Sequence, residues 1–183
     1  MSGYTTNELF GVNNPDGTYN HNPNRMLSWD LIKSILDDCV TMGVKAVEFT
    51  GGGEPTLHPQ VKQLLEYAQA RGIDTALITN GLHLTRVGEP AVRTKWLRIS
   101  IDAASEATYG KVRQSFGGTR IQFNKCISEL SKAVELRNKL NTDCIIGVGF
   151  VVQQENWSEL YAACKLYKSL GVDNVRISGA FTV

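Results

Sequence analysis

Three times in this chain a helical pattern halts at a glycine and enters an apolar run through a β-branched residue: Met42-Gly43-Val44, Arg71-Gly72-Ile73 and Leu170-Gly171-Val172. Glycine accepts the left-handed conformation that ends a helix, and the β-branched residue suits the strand that follows. The first two glycines lie 29 positions apart (72 − 43), the length of one strand–helix unit with its connections. Repeated units of this kind pair their strands in parallel through right-handed crossovers. The pattern predicts strands at Val44–Thr50, Ile73–Thr79, Trp96–Asp102, Cys144–Val152 and Val175–Ser178. Five such strands suit either an open sheet or part of a (β/α) barrel.

Helices fill the intervals. Ser28 is placed to cap the first, whose Leu31, Ile32, Ile35, Leu36, Cys39 and Val40 form one face at helical spacing. Pro59 opens a second that ends at Gly72, and a short, poor one is expected at about Arg86–Thr94, limited by Pro90. Ser105 caps a helix running to about Val112. A long amphipathic helix follows Gly118, with Ile121, Cys126, Ile127, Leu130, Val134 and Leu140 inward. Asn156 and Glu159 stand at capping-box spacing before the last.

The ends depart from this repeat. Residues 1–27 are polar, rich in Asn, Gly, Pro and Tyr, and without periodicity, which predicts an irregular segment followed by one domain over 28–183. The chain stops at Val183 directly after a strand, with no helix to cover it. Both ends read as those of an excerpt.

With 42% hydrophobic and 20% charged residues and a net charge of +1, the chain has the composition of a soluble globular domain. No basic block points to nucleic acid, and no apolar run is long enough to span a membrane. No signal-peptide pattern opens the chain, so a cytoplasmic protein is expected. The four cysteines, Cys39, Cys126, Cys144 and Cys164, are never closer than 18 positions (144 − 126). They read as buried structural thiols in a reducing compartment, without a Cys-x-x-Cys clip.

Ligands of parallel α/β folds bind at the carboxyl ends of the strands. Here those ends read Thr50-Gly51-Gly52-Gly53-Glu54-Pro55, Thr79-Asn80-Gly81, Ser100-Ile101-Asp102, Val151-Val152-Gln153-Gln154 and Ser178-Gly179. Three glycines strip the Cβ atoms that would keep a ligand from the backbone, and Glu54 adds a negative charge. That combination suits an amine. It does not suit a phosphate, since neither a P-loop nor a dinucleotide fingerprint is present. A tight connector with no ligand is the competing reading.

Ser100 and Asp102, two apart, would share a face on a strand. Asp102 could take a ribose diol or cap the next helix. Asn80 could meet a ligand or simply form an Asn-Gly turn. Arg113 could supply a counter-charge for a carboxylate or lie solvated at the surface. The three histidines, His21, His58 and His83, form no metal-ligand pattern, and there is no Gly-x-Ser-x-Gly elbow.

Thr50-Gly51-Gly52-Gly53-Glu54-Pro55, Ile78-Thr79-Asn80-Gly81 and Arg98-Ile99-Ser100-Ile101-Asp102-Ala103, in that order, resemble the radical S-adenosylmethionine (radical SAM) enzymes over about residues 28–180. The resemblance implies a partial (β/α)6 TIM-like barrel, of which this chain supplies about five βα units and lacks the first strand and the cluster loop. It also implies S-adenosylmethionine bound beside a [4Fe–4S] cluster and cleaved to a 5′-deoxyadenosyl radical, which abstracts hydrogen from a substrate. Gly52, Gly53 and Glu54 would then hold the methionine amine. Ser100 and Asp102 would meet the ribose or carboxylate, Arg113 the carboxylate, and Asn80 would line the same site. Val152 and Ser178-Gly179-Ala180 would lie on the adenine side.

The intact parent would also need a reductant protein and an unknown substrate. One departure matters: the Cys-x3-Cys-x2-Cys motif that holds the family's cluster is absent. The expectation is therefore an enzyme in its intact form and an inactive chain as it stands. The alternatives are a non-catalytic barrel remnant that serves as a binding module, or an unrelated α/β barrel that binds another amine.

Overall fold

The computed structural model describes residues 12–13, 19–20, 26–51, 53–113 and 120–180. Five parallel strands form its sheet: β1 (Ala46–Phe49), β2 (Asp74–Thr79), β3 (Trp96–Ser100), β4 (Ile145–Val152) and β5 (Asn174–Gly179). They stand side by side in chain order. A doubly wound sheet reverses its strand order at a switch point. Unbroken sequential order, with crossovers of one hand, sends every helix to the same face, as in a barrel wall. This resolves the open-sheet alternative in favour of the barrel type.

The helices are α1 (Trp29–Thr41), α2 (Val61–Ala70), α3 (Leu84–Val87), α4 (Glu89–Val92), α5 (Glu106–Val112), α6 (Arg120–Leu140) and α7 (Leu160–Ser169). Short 3-10 turns at Pro55–Leu57 and Trp157–Glu159 precede α2 and α7. Gly43, Gly72 and Gly171 follow α1, α2 and α7 with φ of +74°, +75° and +82°, the left-handed stop that the sequence predicts. Ser28 and Ser105 cap α1 and α5 by accepting from the N–H groups of Leu31 and Thr108. The single short helix expected near Arg86–Thr94 is two helices, because Gly88 at φ +68° breaks the turn between them.

The core lies between the helices and one face of the sheet. Leu77, Leu97, Ile99, Ile146, Val148 and Phe150 point into it from β2, β3 and β4, and Leu65, Cys126, Leu130 and Tyr167 meet them from the helices. A smaller cluster of Leu36, Ala68 and Ile73 seats α1. The apolar face expected on α1 is only partly covered: Leu36 is buried, but Ile35 and Val40 are exposed. β1, against which α1 packs, is the edge strand of the sheet.

Strand alternation leaves the opposite face uncovered by any described helix. Its rows follow from the register: Ile78, Arg98, Gly147 and Asn174 in one, and Ser100, Gly149 and Arg176 in the next toward the carboxyl ends. In the segment expected to be irregular, Val12–Asn13 and Tyr19–Asn20 pair as an antiparallel ladder that the composition gives no sign of. The rest of 1–25 lies outside the described residues, as does 181–183. No described helix is long and apolar enough to cross a membrane.

Candidate functional site

Glu54 is the hub of the first two strand ends. Its Oε1 accepts from the Thr56 N–H (3.0 Å), the Thr56 hydroxyl (2.6 Å) and the Thr79 hydroxyl (2.5 Å). Its Oε2 accepts from the Asn80 N–H at 2.7 Å. The carboxylate that the sequence offers to an amine thus clamps the glycine loop after β1 to the end of β2. It retains free acceptor capacity only on Oε2.

The clamp fixes the loop backbone beside it. A Cβ added at Gly53 would meet nothing within 4 Å, so that side of the loop is open. Gly52 lies outside the described residues. Asn80 resolves to its turn role: its Oδ1 accepts from the Leu82 N–H at 2.9 Å, and Gly81 follows at φ +79°.

Asp102 corrects the pairing read from the sequence. β3 ends at Ser100, and Asp102 has a left-handed backbone with φ of +60°. It therefore does not continue the alternation that would place it beside Ser100. Its Oδ1 accepts from the Val151 N–H at 2.7 Å, and its Oδ2 accepts from Arg113 Nη2 at 2.7 Å. Arg113 accordingly faces Asp102 of its own chain, and its Nε is buried with no partner. Like Glu54, Asp102 joins two strand ends, here those of β3 and β4.

Asn156 completes this second knot. It is fully buried, and its Nδ2 donates to the carbonyls of Asp102 (2.9 Å) and Val151 (2.8 Å) while its Oδ1 accepts from the Gln153 N–H. The capping box expected from Asn156 and Glu159 does not form. Asn156 makes no capping bond, because its Oδ1, the atom a cap would use, accepts from the Gln153 N–H instead. Glu159 instead accepts from the Ala104 N–H and the Ser105 hydroxyl, 55 and 54 positions away. Burial pushes its carboxyl up, but the Ser105 hydroxyl and the Ala104 N–H, with Thr108, outweigh burial and leave it below the ordinary value.

The other candidates separate by face. Ser100 is half-buried on the uncovered face, and its hydroxyl has no hydrogen-bond partner among the described residues. Ser178 stands on that face too, paired in register with Val151. Val152 packs against the helix-side core, so it shares the strand end with these residues but not their face.

Four residues that the sequence reading passes over belong to the neighbourhood: Arg98, Arg176, Gly147 and Gly149. The signal that would have found them is period two. Arg98-x-Ser100 and Gly147-x-Gly149 each fall on the face turned away from the core.

No thiolate set accompanies the strand ends. Cys126 and Cys144 are buried, and all four cysteines are free. Cys126 donates to the Asn80 carbonyl, and burial above all holds its thiol up at about 12. Among the described residues no group of three His, Cys, Asp or Glu side chains is placed to hold a metal ion.

Known proteins resemble this chain. Among curated relatives, a tungsten-containing aldehyde ferredoxin oxidoreductase cofactor-modifying protein of Pyrococcus furiosus is 28% identical over 161 residues, covering 83% of this chain and 43% of the relative. A GTP 3′,8-cyclase of Lactiplantibacillus plantarum is 34% identical over 127 residues, covering 67% and 37%. The chain spans less than half the length of these relatives.

Among solved structures, SuiB of Streptococcus suis bound to S-adenosylmethionine matches with a TM-score of 0.70 at 17% identity, covering 90% of this chain and 36% of that one. An anSMEcpe structure with bound AdoMet matches with a TM-score of 0.63 at 15% identity, covering 90% and 46%. These two likenesses show the fold, a TIM-like barrel wall. The family model for the radical SAM superfamily matches residues 11–155, most of the chain. The chain belongs to the radical SAM superfamily.

Proposed function

We propose that this chain is the S-adenosylmethionine-binding barrel wall of a radical SAM enzyme. The observation that carries the reading is the Glu54 clamp, which holds a Cβ-free loop open at the sheet's carboxyl edge, on the strand next to β2 and two from Ser100. The residues fit the cofactor. Backbone carbonyls of the Gly51–Gly53 loop, with the free lone pair of Glu54 Oε2, would accept from the methionine amine. The Ser100 hydroxyl would meet the ribose or carboxylate. Asp102 and Arg113 act by holding the β3 and β4 ends together, and Asn80 by shaping the turn that receives the clamp. Val152 would border the adenine side from the strand end.

The residues do not fit a [4Fe–4S] cluster. Such clusters are held by cysteine thiolates, and the four cysteines here are dispersed, two of them sealed in the core. In the superfamily the cluster supplies the electron for reductive cleavage of S-adenosylmethionine. We infer that this chain alone does not assemble one, and that radical chemistry belongs to a larger protein with its own electron-donor partner and substrate. The relatives bear names with unlike substrates, so the substrate is not carried over from them. The same scattered cysteines favour a second reading, a binding module without radical chemistry. The family match sets aside an unrelated barrel.

Calorimetric titration of the folded chain with S-adenosylmethionine and S-adenosylhomocysteine tests the binding reading. Saturable 1:1 binding that Glu54→Ala weakens is expected, and absence of binding to chain shown folded by circular dichroism overturns it. Anaerobic iron–sulfide reconstitution tests the cluster inference, which a stoichiometric [4Fe–4S] spectrum would overturn.

A further inference from the structure

The uncovered face of the sheet carries two positive charges that the protein leaves unanswered. Arg98, on β3, is half-buried; its Nε is buried, and among the described residues it has no hydrogen-bond partner and forms no ion pair. Its guanidinium lies over the Trp96 ring, 4.5 Å from the centroid, so the plane is oriented without a carboxylate. Arg176, on β5, is exposed on the same face and likewise unpaired among the described residues.

Between them β4 presents Gly147 and Gly149, whose missing side chains leave room for the Asn174 amide over the first and the Arg98 stem over the second. The Arg98 stem lies across Gly149, with Cδ 3.6 Å from where a Cβ would stand. Gly149 pairs in register with Arg176, one strand spacing away, about 4.8 Å. The Arg98 stem and the Arg176 backbone thus flank Gly149 from the two neighbouring strands.

Like charges on one face of a sheet repel, and the buried Arg98 Nε without a partner costs free energy. Among the described residues no carboxylate in this part of the face relieves them. Glu54 and Asp102 are spent on strand-end clamps. Glu48 stands on β1, two strands from Arg98 and in register with Ala76, one row lower. The neighbours are instead hydrogen-bond donors: the Ser178 hydroxyl and the Asn174 amide, which sits over Gly147.

We propose that Arg98 and Arg176, over the glycine floor of β4, form a binding site for a phosphoryl group of the substrate. A carboxylate is satisfied by one bidentate arginine and balances one charge. Two guanidiniums ringed by neutral donors match a dianion with three exposed oxygens. The site is distinct from the cofactor loop, which lies on the far side of β2. The inference leans on the proposed cofactor reading only in calling the ligand a substrate; the anion site itself rests on the geometry of β3, β4 and β5.

The probe is inorganic pyrophosphate, titrated calorimetrically into the whole chain at low salt, with acetate as the monoanionic comparison. Saturable binding is expected, with acetate at least about tenfold weaker and both weakened by added salt. Arg98→Gln should lower pyrophosphate affinity about tenfold and the double variant with Arg176→Gln should abolish it. Lys62→Gln, on the helix layer, should leave it unchanged. Should Arg98→Gln fail to fold, phenylglyoxal modification of the unmutated chain serves: pyrophosphate should protect Arg98 and Arg176 in peptide mass spectra.

No pyrophosphate binding, equal binding by the double variant, or no protection overturns the proposal. Displacement of pyrophosphate by S-adenosylmethionine also overturns it, by assigning the arginines to the cofactor's carboxylate. If the unmutated chain binds pyrophosphate but not S-adenosylmethionine, the cofactor reading falls and the anion site stands.

Discussion

The carboxylates at the strand ends and the arginines on the uncovered face stand in opposite conditions. Glu54 receives four hydrogen bonds and Asp102 two, all from their own chain. Arg98 and Arg176 donate none to any carboxylate among the described residues. The acids tie neighbouring strand ends together, β1 to β2 and β3 to β4. Beyond the Trp96 ring and the Gly149 backbone under Arg98, the arginines engage no described group. Asp102 is satisfied by the fold, Glu54 keeps a lone pair on Oε2 beyond its clamp, and a group held in place without a partner is available to a ligand. Charge near a strand end does not by itself separate these two roles.

Asp102→Ala should break the comparison hardest. It leaves the Val151 N–H and Arg113 without their acceptor, and we expect a loss of about 3 kcal/mol in urea unfolding. Asp102→Asn, which keeps an acceptor and tolerates φ +60°, should recover part of it. An Asp102→Ala variant as stable as the parent would deny the clamp.

Glu54→Ala should cost somewhat less, about 2 kcal/mol, because water can reach part of the loop to replace the lost acceptor. The loop and the end of β2 should lose amide-exchange protection while α7 keeps its own.

Acid should sharpen the contrast next. Glu159 titrates below its ordinary 4.5, so its contribution to stability is complete above that value and is lost as pH falls through the lowered one. Urea midpoints measured from pH 6 downward should fall less steeply below pH 4.5 in Glu159→Gln than in the parent. Parallel curves would remove Glu159 from the scaffold.

The smallest effect belongs to the open face. Arg98→Gln should change stability by no more than about 0.5 kcal/mol, since the fold gives that guanidinium only the Trp96 ring. A loss comparable to that of Glu54→Ala would make Arg98 a structural residue.

Much of the architecture was legible because it is written in local rules. Helix stops at Gly43, Gly72 and Gly171 depend on one residue's φ, and the caps Ser28 and Ser105 reach only three positions along the chain. Strand positions followed from short apolar runs. The site was legible only in location. Asp102 was read as a continuation of β3, but bonds to Val151 and Arg113 accompany its turn into the left-handed region. Asn156 was read as a cap, but carbonyls of Asp102 and Val151 hold its amide. Val152 was placed on the adenine side; the structure puts it at the end of β4, packed against the core on the side of Val148 and Phe150.

The sequence by itself determined the βα repeat, the Cβ-free loop ending in Glu54, and the dispersal of the cysteines that leaves no ligand set for a cluster. Each of these is a matter of residue type and spacing along one stretch of chain. Only the tertiary structure decided that the helices share one face of the sheet, that Glu54 and Asp102 are consumed as clamps, and that Arg98 and Arg176 are not. A hydrogen-bond partner is set by which strand ends are brought within 3 Å of each other. Thr79 lies 25 positions from Glu54, and Val151 lies 49 from Asp102. No local pattern in the chain records such a meeting.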